Sequence, residues 1–160
     1  MKFAHLIEIN ALGNPLVTPL SRELLWRGLV LRAERPTLFL IGLDSCDILT
    51  RDETGIARKL QFGPLTIHDH VQFLTMQQVH YHVPRQGEIP VSDLTMTIEE
   101  PTPGALFVRF EYDDHIIEAE NTDVAFYNEF RRSAYQEADI DTIRVIRQLA
   151  DENNLHAPLQ

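Results

Sequence analysis

The sequence predicts an α+β fold: a curved antiparallel sheet of about seven strands wrapped around a long C-terminal helix, with one or two short helices after the first strand. Three observations carry that expectation. Residues 121–155 contain neither Gly nor Pro and keep a helical apolar spacing. The stretch 39–112 breaks into short alternating runs separated by turn signals, and an alternating segment followed by a capped helix precedes it.

The first segment, 3–10, sets Phe3, His5, Ile7 and Ile9 on one face and Ala4, Leu6 and Glu8 on the other, the period of two of a strand. Asn14-Pro15 and Thr18-Pro19 then mark a turn and a helix start, with Thr18 as the cap and Pro19 at the first helical position. That helix runs to about Glu34. Leu24, Trp26, Leu29, Val30 and Ala33 give it a broad apolar side, and Pro36 stops it.

Six strands follow, at roughly 42–51, 56–62, 65–74, 78–84, 92–100 and 105–113, with turn residues between them at 52–55, 63–64, 75–77, 87–90 and 101–104. Loops this short make sequence neighbours into sheet neighbours. A sheet of that size twists strongly and curls around whatever covers its apolar face.

The long helix is the cover. Thr122 is placed to cap it, with Asp123 at the positive end of its dipole, and roughly 30 residues span about 45 Å. Its inner stripe reads Val124, Tyr127, Arg131, Ala134, Ala138, Thr142, Val145, Leu149, large at the ends and small in the middle. Ala134 and Ala138 either leave space above a concave sheet or allow close packing on a flat one. Ile140 and Ile143 read as an apolar pair on the outer side, available to another element or subunit.

Composition narrows the partners. The chain of 160 residues is 44% hydrophobic, which suits a globular fold, and its 14 basic against 24 acidic residues give a net charge of −10. That balance disfavours nucleic acid and an anionic membrane surface. The only cysteine, Cys46, makes no internal disulfide and reads as a small packed residue, so a reducing, cytoplasmic setting is expected. Glu8 interrupts the N-terminal segment, which therefore reads as a strand and not a signal peptide, and no apolar run approaches the roughly 20 residues of a membrane span.

Four stretches carry a resemblance: residues 1–10 (MKFAHLIEIN), Leu25-Trp26-Arg27-Gly28-Leu29, 94–100 (LTMTIEE) and 106–112 (LFVRFEY). With the element order they resemble the START-like, or SRPBCC, superfamily of helix-grip proteins, which includes the Bet v 1-like plant proteins and polyketide cyclases. Within it the chain looks like the family that includes acetylaranotin biosynthesis protein L. The resemblance covers nearly the whole chain and implies one START-like domain over 1–160. It also implies a cavity between sheet and helix, used by some members for binding and by others for catalysis. The matching motifs are patterns of sheet and helix, not of chemistry.

The histidines invite a metal reading. His68 and His70 share a strand face, as do His80 and His82 on the next strand, and odd-with-odd pairing sets His70 beside His80 or His82. All four fall on the polar face with Thr66, Gln72 and Gln78, so a solvated surface is expected, with adventitious nickel or zinc binding as the alternative. No metal or cofactor is assigned. There is no phosphate-binding loop, dinucleotide fingerprint or nucleophile elbow.

The apolar face has exceptions. A two-residue loop at Gly63-Pro64 pairs Phe62 with Leu65 and Leu60 with Ile67, which sets Arg58 opposite Asp69, both facing the long helix. The two either neutralise each other near the sheet edge or fix the polar end of a ligand. His5 lies between Phe3 and Ile7. Tyr81, Tyr112, Tyr127 and Tyr135 bring hydroxyls to the interior or fill space there, and the stem of Arg131 packs while its guanidinium reaches the rim.

The candidate ligand-contacting set is accordingly His5, Arg58, Asp69, Tyr81, Met96, Tyr112, Tyr127, Arg131, Ala134 and Ala138. Three functions compete: binding of a small apolar or amphipathic molecule by a monomer or homodimer, a cyclase, lyase or hydrolase using the same cavity, or an interaction protein with a filled interior. In the enzyme reading Asp69 or His5 removes a proton and Arg58 stabilises the oxyanion.

Overall fold

A computed structural model describes residues 1–116 and 122–155, with side chains of the C-terminal helix from Phe126 onward. The expected cap at Thr122, with Asp123 and Val124, lies outside the described side chains. In chain order the elements are β1 (Lys2–Glu8), α1 (Arg22–Glu34), a short 3-10 turn (Pro36–Leu38), β2 (Ser45–Arg51), β3 (Gly55–Phe62), β4 (Leu65–Leu74), β5 (Gln78–Val83), β6 (Ser92–Glu99), β7 (Phe107–Asp113) and α2 (Thr122–Asp151).

All seven strands form one antiparallel sheet in the order β1-β7-β6-β5-β4-β3-β2, so the meander closes on the first strand. The register at the β3–β4 hairpin follows from its two-residue loop. Gly63 takes φ +54, which a side chain rarely adopts, Phe62 pairs with Leu65, and Arg58 stands directly across from Asp69.

The helix after β1 begins later than expected. Ser21, not Thr18, is the cap, its hydroxyl accepting from the N–H of Leu24 at 3.1 Å. The cause is Asn10. Its amide bonds both backbone groups of Leu20, at 2.8 and 2.9 Å, and also reaches the carbonyl of Gly104, so Leu20 is tied to the chain beyond β1 and cannot enter the helix.

One face of the sheet is covered by both helices. Leu25, Leu29 and Ala33 of α1 and Ile146 of α2 are wholly buried against Val71, Val79, Met96, Val108 and Phe110. Each large apolar side chain buried in this way contributes about 1.5–3 kcal/mol.

The face that α2 presents differs from the expected stripe. Asn128, Asp139, Thr142, Ile143 and Ile146 are buried. Tyr127 is 61% exposed, and Ala134 and Ala138 are also exposed. The helix is turned by about one residue, roughly 100°, from the reading that put the alanines inside. Ile143 is correspondingly in the core and only Ile140 remains outside, at 57% exposed. Two polar residues on the buried face, Asn128 and Asp139, disguised the true stripe. No described helix is long and apolar enough to cross a membrane.

Candidate functional site

A cleft of about 280 Å³ opens between the sheet, the end of α1, the turn after it and the N-terminal half of α2. Its walls bring together Pro36, Leu40, Val83 and Leu94 with the polar side chains of Arg32, Arg58, Asp69, Tyr81, Tyr112, Arg131 and Tyr135. The alternation of the strands delivers the sheet residues, since Arg58, Asp69, Tyr81, Leu94 and Tyr112 all point from the inner face.

At the floor, Arg58 grips Asp69 through two parallel hydrogen bonds of 2.9 and 2.6 Å, and its remaining Nη donates to the Ala33 carbonyl at 2.8 Å. Both residues are under 5% exposed. Although burial works against the charge, the bonds to Asp69 hold Arg58 firmly protonated. The pair is bidentate: both Asp69 oxygens accept from Arg58, and each residue meets the charge of the other.

Tyr81 lies between two cations, with the guanidinium carbon of Arg32 5.1 Å and that of Arg58 5.2 Å from its ring centroid. Its hydroxyl is buried and has no hydrogen-bond partner among the described residues. Arg32 itself is 8% exposed, and its one side-chain hydrogen bond among the described residues goes from Nε to the Thr142 hydroxyl at 3.3 Å.

The wall of β7 carries a second network. Tyr112 donates its hydroxyl to Asp139 at 2.6 Å, and the other Asp139 oxygen lies 2.6 Å from Nε2 of His5. Burial raises the Asp139 carboxyl above its ordinary range, against the bonds from Tyr112 and His5. Burial, together with the neighbouring Asp139 charge, also raises the Tyr112 phenol. Tyr135 stacks on Tyr112 at 4.0 Å between centroids, and Arg131 bonds both Asp114 and the Tyr135 hydroxyl.

Of the residues expected from sequence, Arg58, Asp69, Tyr81, Tyr112 and Arg131 share the cleft. His5 sits behind Tyr112, bonded to Asp139, and Met96 is fully buried in the core. Tyr127, Ala134 and Ala138 are on the exposed side of α2, so the room beneath that helix owes nothing to small residues.

Sequence reasoning missed Arg32 and Asp139. Arg32 follows Leu25 by seven and Leu29 by three, a spacing that puts a cation on the apolar face of α1 and was open to reading. Asp139 gave no such signal, because its neighbours Ala138 and Ile140 suggested a different inner face.

The outer histidines do not surround a vacant point. His68 and His70 are exposed, and His70 pairs across the sheet with His82. His80 and His82 both bond one oxygen of Asp93, at 2.7 and 2.8 Å, and His115 bonds the other. Among the described residues no group of three or more His, Cys, Asp or Glu is arranged to hold a metal ion. Burial tends to raise the Asp93 carboxyl, but hydrogen bonds from His115, His82 and His80 bring it down to about 2.

Comparison with known proteins fixes the family. The chain superposes on the di-domain aromatase/cyclase StfQ of the steffimycin biosynthetic pathway with a TM-score of 0.70 and 11% identity, covering 95% of this chain and 51% of that one, about half its length. It superposes on human STARD10 with a TM-score of 0.65 and 12% identity, over 97% and 66% of the two chains. With the ZhuI aromatase/cyclase from Streptomyces sp. R1128 the TM-score is 0.61 at 11% identity, over 94% and 93%. At such identities the likeness is one of fold, the helix grip. No curated protein matches the chain. The family described as acetylaranotin biosynthesis cluster protein L matches residues 7–153, from the end of β1 past the end of α2, and the chain belongs to that AtaL family.

Proposed function

We propose that this chain binds a small apolar or amphipathic molecule in the cleft between sheet, α1 and α2, as a single START-like domain spanning 1–160 and acting in the cytoplasm as a monomer or homodimer, without nucleic acid or membrane. The observation that carries the reading is the Tyr81 hydroxyl. It is buried, on a residue of the cleft wall, with no partner among the described residues, and an orphaned buried hydroxyl costs about 1–3 kcal/mol unless something hydrogen-bonds it. A bound molecule with one polar atom supplies that bond, while Pro36, Leu40, Val83 and Leu94 take its apolar body.

Catalysis by the same cleft has less support. Asp69 is held by Arg58 through both oxygens, and His5 sits behind Tyr112, off the cleft wall, so neither is well placed as the base of a cyclase or lyase. What favours an enzyme is the Tyr112–Asp139–His5 network, whose phenol reaches the cleft wall. Native mass spectrometry of protein purified from its own host tests the binding reading. A retained small molecule, lost from a Leu94→Trp variant that fills the cleft, supports it; a bare mass in both proteins, with no change when candidate ligands are added, rejects it.

A further inference from the structure

We propose that Arg32 and Tyr81 form an anion-recognising end of the cleft, selecting a ligand whose apolar body carries a carboxylate or an acidic enol oxygen. This rests on the cleft being the binding site and adds the class of molecule it takes.

Arg58 is neutralised by Asp69, Arg131 by Asp114, and Asp93 and Asp113 face imidazoles. Arg32 alone among the described charged groups on the cleft wall makes no ion pair. Its Nε bonds a neutral hydroxyl, that of Thr142, which is itself committed to the Ala138 carbonyl at 3.1 Å. The one carboxylate whose charge reaches Arg32, that of Asp139 one turn earlier on α2, is held by His5 and Tyr112.

A guanidinium does not shed its proton, so a desolvated Arg32 keeps its charge and its two Nη groups keep their donors. Such a charge is costly until an anion meets it. Tyr81, whose ring lies 5.1 Å from the same guanidinium, adds its hydroxyl as a second donor. Arg58, packed on the Tyr81 ring, has its charge met by Asp69 and three of its five N–H groups committed to Asp69 and Ala33, so it holds that ring in position and brings no uncompensated charge.

A neutral carbonyl satisfies Tyr81 but leaves Arg32 uncompensated, and a cation is repelled. An acidic oxygen answers both groups through charge-assisted bonds.

Isothermal titration with a matched pair of probes, 2-naphthoate and its neutral analogue 2-naphthamide, tests the inference. The wild-type protein should bind naphthoate about tenfold more tightly than naphthamide, the size of one charge-assisted hydrogen bond. Arg32→Gln should bring the ratio of the two affinities to within about threefold, Arg32→Lys should retain part of it, and Tyr81→Phe should weaken both probes. The wild-type ratio needs no variant, so a misfolded Arg32→Gln does not leave the matter open. Equal wild-type affinities, or a ratio that survives Arg32→Gln, overturn the assignment of Arg32 while leaving the cleft as a binding site. Failure of both probes to bind, or binding that Leu94→Trp does not disturb, overturns the cleft reading and this inference with it.

Discussion

Asp139, in the middle of α2, and His5, on the first strand, are joined by a 2.6 Å hydrogen bond across 134 positions of sequence, and that contact sets which side of the helix faces the sheet. With Tyr112 on the other carboxylate oxygen, the bond pins the helix at a point where its apolar stripe is interrupted. Ile143 and Ile146 then fall inward, and Ala134 and Ala138 turn to solvent.

Replacing Asp139 with Leu should leave His5 Nε2 and the Tyr112 hydroxyl buried without a partner, at a cost of about 1–3 kcal/mol for each. Asp139→Asn keeps an acceptor for Tyr112 and a donor for His5. Because the Asp139 pKa is raised on folding, the stability associated with its neutral form is full below the ordinary value of 3.8 and is lost as pH rises through the raised value. The Asn variant escapes that loss, so its stability relative to wild type should increase from acid toward neutral pH. Urea denaturation of the three proteins at several pH values checks this; a Leu variant as stable as the Asn variant at pH 7 would remove the network from the account of how α2 is seated.

This contact also explains what the sequence could and could not convey. The strands were legible because alternation and turn residues are local, and Gly63-Pro64 was enough to align Arg58 with Asp69. The rotation of α2 was not, since it depends on a partner 134 positions away, and Asp139 reads locally as a solvent-facing acid. The start of α1 failed for a similar reason: Thr18-Pro19 is a good local cap, but Asn10 overrides it by holding Leu20. Within the cleft, the sheet residues followed from parity and Arg32 was legible from its spacing after Leu25 and Leu29, while Asp139 required knowing which face of α2 turns toward the sheet.

The Arg58–Asp69 pair should behave as a unit. Arg58→Met strands a buried carboxylate and should lower stability by about 3–5 kcal/mol, whereas Arg58→Met combined with Asp69→Leu should recover most of that loss. A double-mutant cycle by chemical denaturation measures the coupling. Additive single effects would mean that each residue is held by its surroundings and not by the other.

On the outer face, the Asp93 cluster should give a pH optimum of its own. Asp93 falls from 3.8 to about 2 on folding, so its contribution is present above 3.8 and is lost as pH falls through about 2. His115 is raised from 6.5, chiefly by its hydrogen bond to Asp93, so its contribution is present below 6.5 and is lost as pH rises through the raised value. The stability difference between wild type and Asp93→Asn should therefore peak between about pH 4 and 6.5 and shrink on both sides. A difference that stays flat from pH 3 to 8 would show that Asp93 and His115 are not linked in this way.

The crossing of α1 and α2 depends on one glycine. Gly28 lies in the middle of α1, where Gly is less favourable than Ala by about 1 kcal/mol, so propensity alone says that Gly28→Ala should stabilise the helix. Packing says the opposite. A methyl at that position would lie 2.6 Å from Cγ2 and 2.8 Å from Cγ1 of Ile146, a fully buried residue with no open side to move into. Overpacking of this kind costs about 1–3 kcal/mol, enough to outweigh the propensity gain. Gly28→Ala should therefore lower the unfolding midpoint. Ile146→Val keeps Cγ1 and Cγ2 but removes the outer methyl, which lets the shortened side chain shift, so the double variant should lose less than the sum of the two single losses. Thermal denaturation of the four proteins decides it. A Gly28→Ala protein more stable than wild type would show that α1 slides away from α2 at little cost. The position of Arg32, one turn further along α1, would then be less firmly fixed over the cleft than this packing implies.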